Sequence, residues 1–289
     1  MAMESPIDIA SVQLDAEELA FLKSQTGIQD EHVLLQRISA IGSKAFNEVY
    51  RYGCIGNFAF AKFRISRNPA YVHALELGNT RPGAIMLDIG CCFGHDLRKA
   101  AADGFPVQNM VASDLRPDFW ALGHELFRST PETFPVAFIL GDAFDSSFIA
   151  DRKPFLQCSD IINERPADLR SLTSSLTPLQ GHCSIIHASA LFHLFDEDRQ
   201  QVLGERLGSL LSPLPGSVIF GVHRALVDGA GVVTNMRNEK VYFHSVESWK
   251  KLWDGGVFPS GAVKVQGDLV PRMRDGQQQW MIRWSVTRV

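Results

Sequence analysis

The sequence of 289 residues predicts an α/β, Rossmann-like fold. Its sheet is mostly parallel with an antiparallel terminal strand, and a helical N-terminal extension precedes it. Three observations predict this. Apolar stretches end in an acid three times, at Asp88, Asp114 and Asp142. A short turn bearing Gly90 and Gly94 follows the first stretch and opens a helical pattern. Near the C-terminus, Gln279 to Val286 alternates apolar and polar residues, as a strand with one exposed face does.

The extension spans residues 1–80. Asp15-Ala16-Glu17-Glu18 opens a short helix with acids in its first turn. Asp30 caps a second, in which Val33, Leu34, Ile38, Ile41 and Phe46 recur at helical spacing. An aromatic segment follows, with Tyr50, Tyr52, Phe58, Phe60 and Phe63. Asn68-Pro69 then punctuates before another short helix.

Residues 81–289 carry the sheet. Ala84 to Leu87 has the continuous apolar character of a parallel strand covered on both faces. Asp88 stands at its carboxyl end, where open α/β sheets bind ligands. Asn109 to Ser113 is the second strand, closed by Asp114-Leu115. It follows Gly90 at the distance of one turn-helix-strand unit, and an acid there can accept ribose hydroxyls. Val136 to Leu140 is the third, closed by Gly141-Asp142-Ala143-Phe144. Residues 145–182 are turn-prone and read as a loop or short-helix insertion near the pocket mouth. Cys183 to Ala188 is the fourth strand and Ser217 to Val222 the fifth. Asp196 to Leu211 and Glu247 to Trp253 read as helices, with Trp249 and Trp253 on one face, anchoring the latter to the sheet or lining an apolar acceptor pocket. The terminal strand pairs with Val263-Lys264-Val265 or a neighbour.

Composition narrows the class. With 45% hydrophobic and 21% charged residues, the chain reads as one globular protein of one or two domains. No apolar run reaches the ~20 residues of a membrane helix. The first residues lack a basic segment followed by an apolar one, so a cytoplasmic protein is expected. A net charge of −4 without a basic tract argues against nucleic acid as partner. Five cysteines without paired spacing argue against a disulfide framework or zinc site, and Cys91 and Cys92 read as small packing residues.

Met86-Leu87-Asp88-Ile89-Gly90-Cys91-Cys92-Phe93-Gly94 resembles motif I of the class I S-adenosylmethionine methyltransferases. Cys92 stands where that family's middle glycine is usual. His187-Ala188-Ser189-Ala190-Leu191-Phe192-His193-Leu194-Phe195 and Leu211-Ser212-Pro213-Leu214-Pro215-Gly216 narrow the resemblance to fungal secondary-metabolite enzymes of the meroterpenoid-pathway type. The resemblance implies S-adenosyl-L-methionine as donor, S-adenosyl-L-homocysteine as product, and a small organic acceptor with a carboxylate or hydroxyl. It implies a cofactor site of Asp88, Gly90, Cys91 and Gly94, then Asp114 and Leu115, then Asp142, Ala143 and Phe144, with His187 and Ala188 at the fourth strand. No cluster of carboxylates or histidines has ligand spacing, so no metal is expected; no nucleic acid and no membrane insertion are expected from charge and hydropathy, and the oligomeric state is left open.

The sulfonium already activates the methyl group, so the protein's task is alignment and exclusion of water. An ionised carboxylate needs no base, whereas a hydroxyl is helped by one. His193 is the first candidate for that catalytic role, with a structural imidazole as the alternative; His187, His223 and His244 are further candidates. Arg64 and Arg67 can fork onto an acceptor carboxylate or lie solvated at the surface. Two other functions are compatible with these residues: a cofactor-binding regulatory protein without turnover, and a nicotinamide-dependent oxidoreductase. The latter lacks its G-x-G-x-x-G turn here.

Overall fold

The computed structural model describes residues 12–235, 237–274 and 277–289. The first eleven residues of the expected extension lie outside the described residues. The central sheet has seven strands in the order β3-β2-β1-β4-β5-β9-β8. They are β1 (Ile85–Ile89), β2 (Met110–Asp114), β3 (Ala137–Leu140), β4 (Cys183–His187), β5 (Val218–Ala225), β8 (Val263–Arg274) and β9 (Gln277–Arg288). β1 through β5 pair in parallel, and β9 runs antiparallel between β5 and β8. Val263 to Val265 pairs with β9, as the sequence predicts. A separate hairpin joins β6 (Gly231–Thr234) to β7 (Lys240–Phe243).

Both faces of the sheet are covered, which is why β1 and β4 are apolar almost throughout. One face meets α4 (Ala70–Thr80), α5 (His95–Ala102) and part of α6 (Pro117–Phe127) through Met86, Met110, Ile185 and Phe220. The other meets α7 (Glu197–Leu210) and α8 (Val246–Trp253) through Leu87, Val111, Ile186 and Ile219. α7 is capped by Asp196, whose side chain accepts the Arg199 N–H. Trp249 and Trp253 are buried against this second face, anchoring α8 there.

The extension is helical. α1 (Ala16–Thr26) opens with a capping box between Asp15 and Glu18, and Asp30 caps α2 (Glu31–Lys44). A π turn, Ala45–Val49, and a short helix α3 (Gly53–Gly56) lead to the aromatic segment. Leu34, Ile38, Phe58 and Phe60 pack on Phe93, Phe119 and Phe127. Each fully buried Phe contributes about 1.5–3 kcal/mol. This third core joins the extension to the turn after β1 and to α6.

The segment 145–182 is largely irregular. It has only short 3-10 turns, at Cys158–Asp160, Leu169–Ser171 and Thr177–Leu179. Yet Phe148, Ile149, Phe155, Leu169, Leu176 and Leu179 are buried, most of them in the core shared with α7. Arg165 reaches the Gly83 carbonyl (3.0 Å) and Asn109 (3.3 Å), both just before strands begin. The segment thus starts at the carboxyl end of β3, where Phe148 packs against Gly141, and runs down the sheet face to the amino-terminal edge. The physical reason is the crossover: the chain must return from the end of β3 to the start of β4. Irregular backbone with buried side chains does so in place of a helix.

Candidate functional site

The site forms where β1, β2, β3 and β4 end together. The glycine turn after β1 is fastened to β2. Gly90 and Cys91 both donate to the Ser113 carbonyl, at 2.8 and 3.1 Å. Gly90, Cys92 and Gly94 all have left-handed backbone, with φ of 72°, 53° and 68°. Cys92 therefore keeps the conformation glycine takes easily, against a cost of roughly 1–2 kcal/mol for an L-residue. A Cβ on Gly94 would lie 2.4 Å from the Trp120 ring, so this position needs glycine for space as well.

Asp114 explains how Cys92 is held. Its Oδ2 accepts the Cys92 N–H at 2.9 Å, and its Oδ1 accepts the Arg116 N–H at 2.9 Å. Burial pushes this carboxyl above its usual range. The side chain is half-buried, and a carboxylate oxygen that accepts one N–H has lone-pair capacity left. Leu115 is exposed beside it. One strand further, Asp142 accepts the Phe144 N–H at 2.9 Å in a tight turn. Asp142, Ala143 and Phe144 are all half-buried. The Phe144 ring stands 4.7 Å from Phe195, and the Arg199 guanidinium lies 4.2 Å over it. Leu191 approaches the turn from β4, 3.4 Å from where a Gly90 Cβ would be.

Asp88 and His187 are placed differently. Both are buried, and Asp88 Oδ1 is 2.8 Å from His187 Nδ1. His187 Nε2 is 2.7 Å from Ser189 Oγ, which also accepts the Val222 N–H at 3.2 Å. Burial alone would pull the imidazole down; the Asp88 charge and hydrogen bond, with Asp96 behind, outweigh it and raise it. The His187 side chain is thus committed to the core, and the backbone of Ala188 is what continues toward the cleft.

The other histidines lie in an aromatic nest. His193 is half-buried on the 3-10 turn Phe192–Leu194, with Nδ1 shut off from solvent and unpartnered. Burial, then the charges of Arg224, Arg64 and Arg272, draw it down to about 3. His223 accepts the Trp284 indole N–H at 2.9 Å and is held well below its usual value by burial. His244 pairs with Ser248 at 2.8 Å, and burial lowers it to about 4. All three are neutral at pH 7 and weak as bases. Arg67 is spent on Asp15 (2.7 Å) and Glu17 (3.1 Å) at the start of α1.

Sequence reasoning missed several residues around the cleft. Asp96 is buried, accepts the N–H groups of Arg64 (3.3 Å) and Ile65 (3.0 Å), and lies 3.3 Å from His95. Its position at the first turn of α5, beside Gly94, was the available signal. Above Asp114, the Arg116 guanidinium sits 4.1 Å over Tyr50. Arg237, beyond β6, lies 5.2 Å over Tyr50 and 5.6 Å over Tyr52. The extension and the hairpin so meet over the end of β2. Among the described residues, no three His, Cys, Asp or Glu side chains gather as a metal site. No helix among them is long and apolar enough to cross a membrane.

A family model described as the meroterpenoid methyltransferase N-terminal domain matches residues 8–61. Methyltransferase ausD of Aspergillus calidoustus is 33% identical over 223 residues, covering 76% of this chain and 69% of that protein. The O-methyltransferase phiE of a fungal species is 31% identical over 223 residues, covering 76% and 64%. Among solved structures, the 1,6-didemethyltoxoflavin-N1-methyltransferase of Burkholderia thailandensis aligns with a TM-score of 0.49 and 14% identity, covering 99% of this chain and 94% of that one.

Proposed function

This chain belongs to the fungal secondary-metabolite methyltransferases of the meroterpenoid type, and from that premise we propose that it methylates a carboxylate oxygen of a small organic acceptor. When bound, S-adenosylmethionine supplies a methyl group that passes to the acceptor oxygen as the carbon–sulfur bond breaks, leaving S-adenosylhomocysteine. The single observation that carries the reading is the Asp114 carboxylate. It ties the left-handed Cys92 turn to the end of β2 and stays half-exposed beside it. In this reading Asp114 and Leu115 border the ribose, and Asp142, Ala143 and Phe144 the adenine. Gly90, Cys91 and Gly94 let the backbone approach the donor, and Ala188 borders the reacting end. Asp88 and His187 act from beneath, by holding β1 and β4 in register.

The histidines favour a carboxylate over a hydroxyl. An alcohol or phenol is helped by a base whose pKa lies near the working pH. His193, drawn to about 3, falls far short of that, as does His244 at about 4. A carboxylate arrives ionised, so no proton need move. His193 then serves as packing or as a hydrogen-bond donor near the acceptor rather than as a base.

Calorimetric titration with S-adenosylhomocysteine tests the reading, with NAD as control. Micromolar binding of the first alone, weakened at least tenfold by Asp114→Ala or Asp142→Ala, is the expected result. Variants that bind like wild type would remove both acids from the site. Binding without turnover on any carboxylic acid would favour a regulatory protein.

A further inference from the structure

The fold separates the two arginines that precede β1. Arg67 is fastened to α1 by Asp15 and Glu17. Arg64 is half-buried, and among the described residues its guanidinium makes no ion pair and no hydrogen bond. Its peptide N–H and that of Ile65 donate to Asp96, so this stretch of chain is tied to the first turn of α5. From there the Arg64 charge is felt at Cys54, Cys92, Asp96, His187 and His193. Those groups lie on the extension, the glycine turn, α5, β4 and the turn after β4. The Arg64 backbone, tied to Asp96 at the first turn of α5, starts the side chain beside the helix that Gly94 opens.

Two further arginines act on His193. Arg224, on β5, lies 4.9 Å from the Phe243 ring, and His193 meets that ring edge-on at 6.2 Å. Arg272, on β8, also acts on His193. The nearby acids are engaged elsewhere. Asp96 holds two peptide N–H groups and His95. Glu18 holds the N–H groups of Asp15 and Phe63. A half-buried guanidinium without a protein acceptor among the described residues is built to receive an anion.

We propose that Arg64 is a carboxylate-binding residue of the cleft, placing two N–H groups of its fork on one carboxylate above the glycine turn. The proposal rests on the methyl-transfer reading, in which two carboxylates enter the cleft: that of the donor's amino-acid end and that of the acceptor. The planar fork matters, because a lysine ammonium offers charge without the paired geometry.

Calorimetry on wild type, Arg64→Ala and Arg64→Lys separates the sources. The probes are S-adenosylhomocysteine, 5′-methylthioadenosine (the same thioether nucleoside without the amino acid), and benzoate titrated into the S-adenosylhomocysteine complex. A loss of at least tenfold for S-adenosylhomocysteine in Arg64→Ala, with methylthioadenosine unchanged, assigns the donor's carboxylate. Unchanged affinity for both nucleosides, with benzoate binding present in wild type and lost in the variant, assigns the acceptor's. Equal losses for both nucleosides, or a variant that treats all three probes as wild type does, overturns the proposal. Arg64→Lys keeps the charge and carries the same comparison if the alanine variant does not fold. A wild type that binds neither nucleoside refutes the methyl-transfer reading itself, and the seat with it.

Discussion

Asp88 on β1 and His187 on β4 are direct register partners in adjacent parallel strands, and their side chains meet at 2.8 Å. The contact is a consequence of the sheet, since 99 residues separate the two in sequence. It places a buried, hydrogen-bonded pair between the glycine turn and the turn after β4. Ser189 extends it to the backbone of β5. The ends of β1, β4 and β5 are thereby locked at one level.

Replacing Asp88 by Asn should cost about 3 kcal/mol, the scale for removing one partner of a buried pair. Urea denaturation checks it. His187 has its pKa raised in the folded protein, so the pair's contribution is full below about pH 6.5 and is lost as pH rises through the folded value. The deficit of the variant should therefore shrink on the alkaline side. A deficit under about 1 kcal/mol at pH 6 would show that the pair carries no charge.

Cys92→Gly should leave the affinity for S-adenosylhomocysteine unchanged and stability within about 1 kcal/mol of wild type. Relief of the left-handed strain is offset by the freer unfolded chain. Cys92→Val should destabilise clearly, because a β-branched residue at φ of 53° is a steric outlier. It should also weaken binding, since the N–H held by Asp114 shifts with it. Thermal melts with and without ligand separate the two effects. A valine variant as stable as glycine would show that the turn relaxes freely.

The strands most easily read were those whose burial is continuous or ends in an acid. β1, β2 and β4 are apolar because helices and packed segments cover both faces, and the caps Asp15, Asp30 and Asp196 marked helix starts. The rest depended on distance. Nothing local pairs Asp88 with His187; only strand order does. The buried residues of 145–182 follow no helical or strand period, so turn composition dominated. β8 was read only at its start because Pro271 interrupts its pattern. An edge strand tolerates it, with Trp280 as its register partner. The β6–β7 hairpin was not read, its strands being four residues each.

Arg237→Ala should speed release of S-adenosylhomocysteine several-fold with little change in melting temperature. Arg237 touches Tyr50 and Tyr52 by cation–π contact, and such contacts at exposed sites are worth about 0.5–1 kcal/mol each. Their rupture parts the hairpin from the extension above Asp114. Arg116 still holds Tyr50 at 4.1 Å, so the extension itself stays docked. Stopped-flow displacement measures the rate. An unchanged rate would mean that the donor leaves by another face.

Acid should destabilise this protein through groups of the opposite sign to His187. His223 and His244 are buried and keep their imidazoles neutral in the folded state, with His244 drawn down to about 4. Between the unfolded value of about 6.5 and these lower folded values, the unfolded chain takes up protons that the folded chain refuses. Stability must fall as pH drops through that window, at about 1.4 kcal/mol per pH unit for each group that titrates fully. His244→Asn removes one such group while its amide can keep the hydrogen bond to Ser248. Its unfolding free energy, measured in urea from pH 6.5 to 4.5, should fall less steeply than that of wild type by about that slope. Parallel curves would mean that His244 gains its proton without unfolding, and that the aromatic nest opens to water at the mouth of β5.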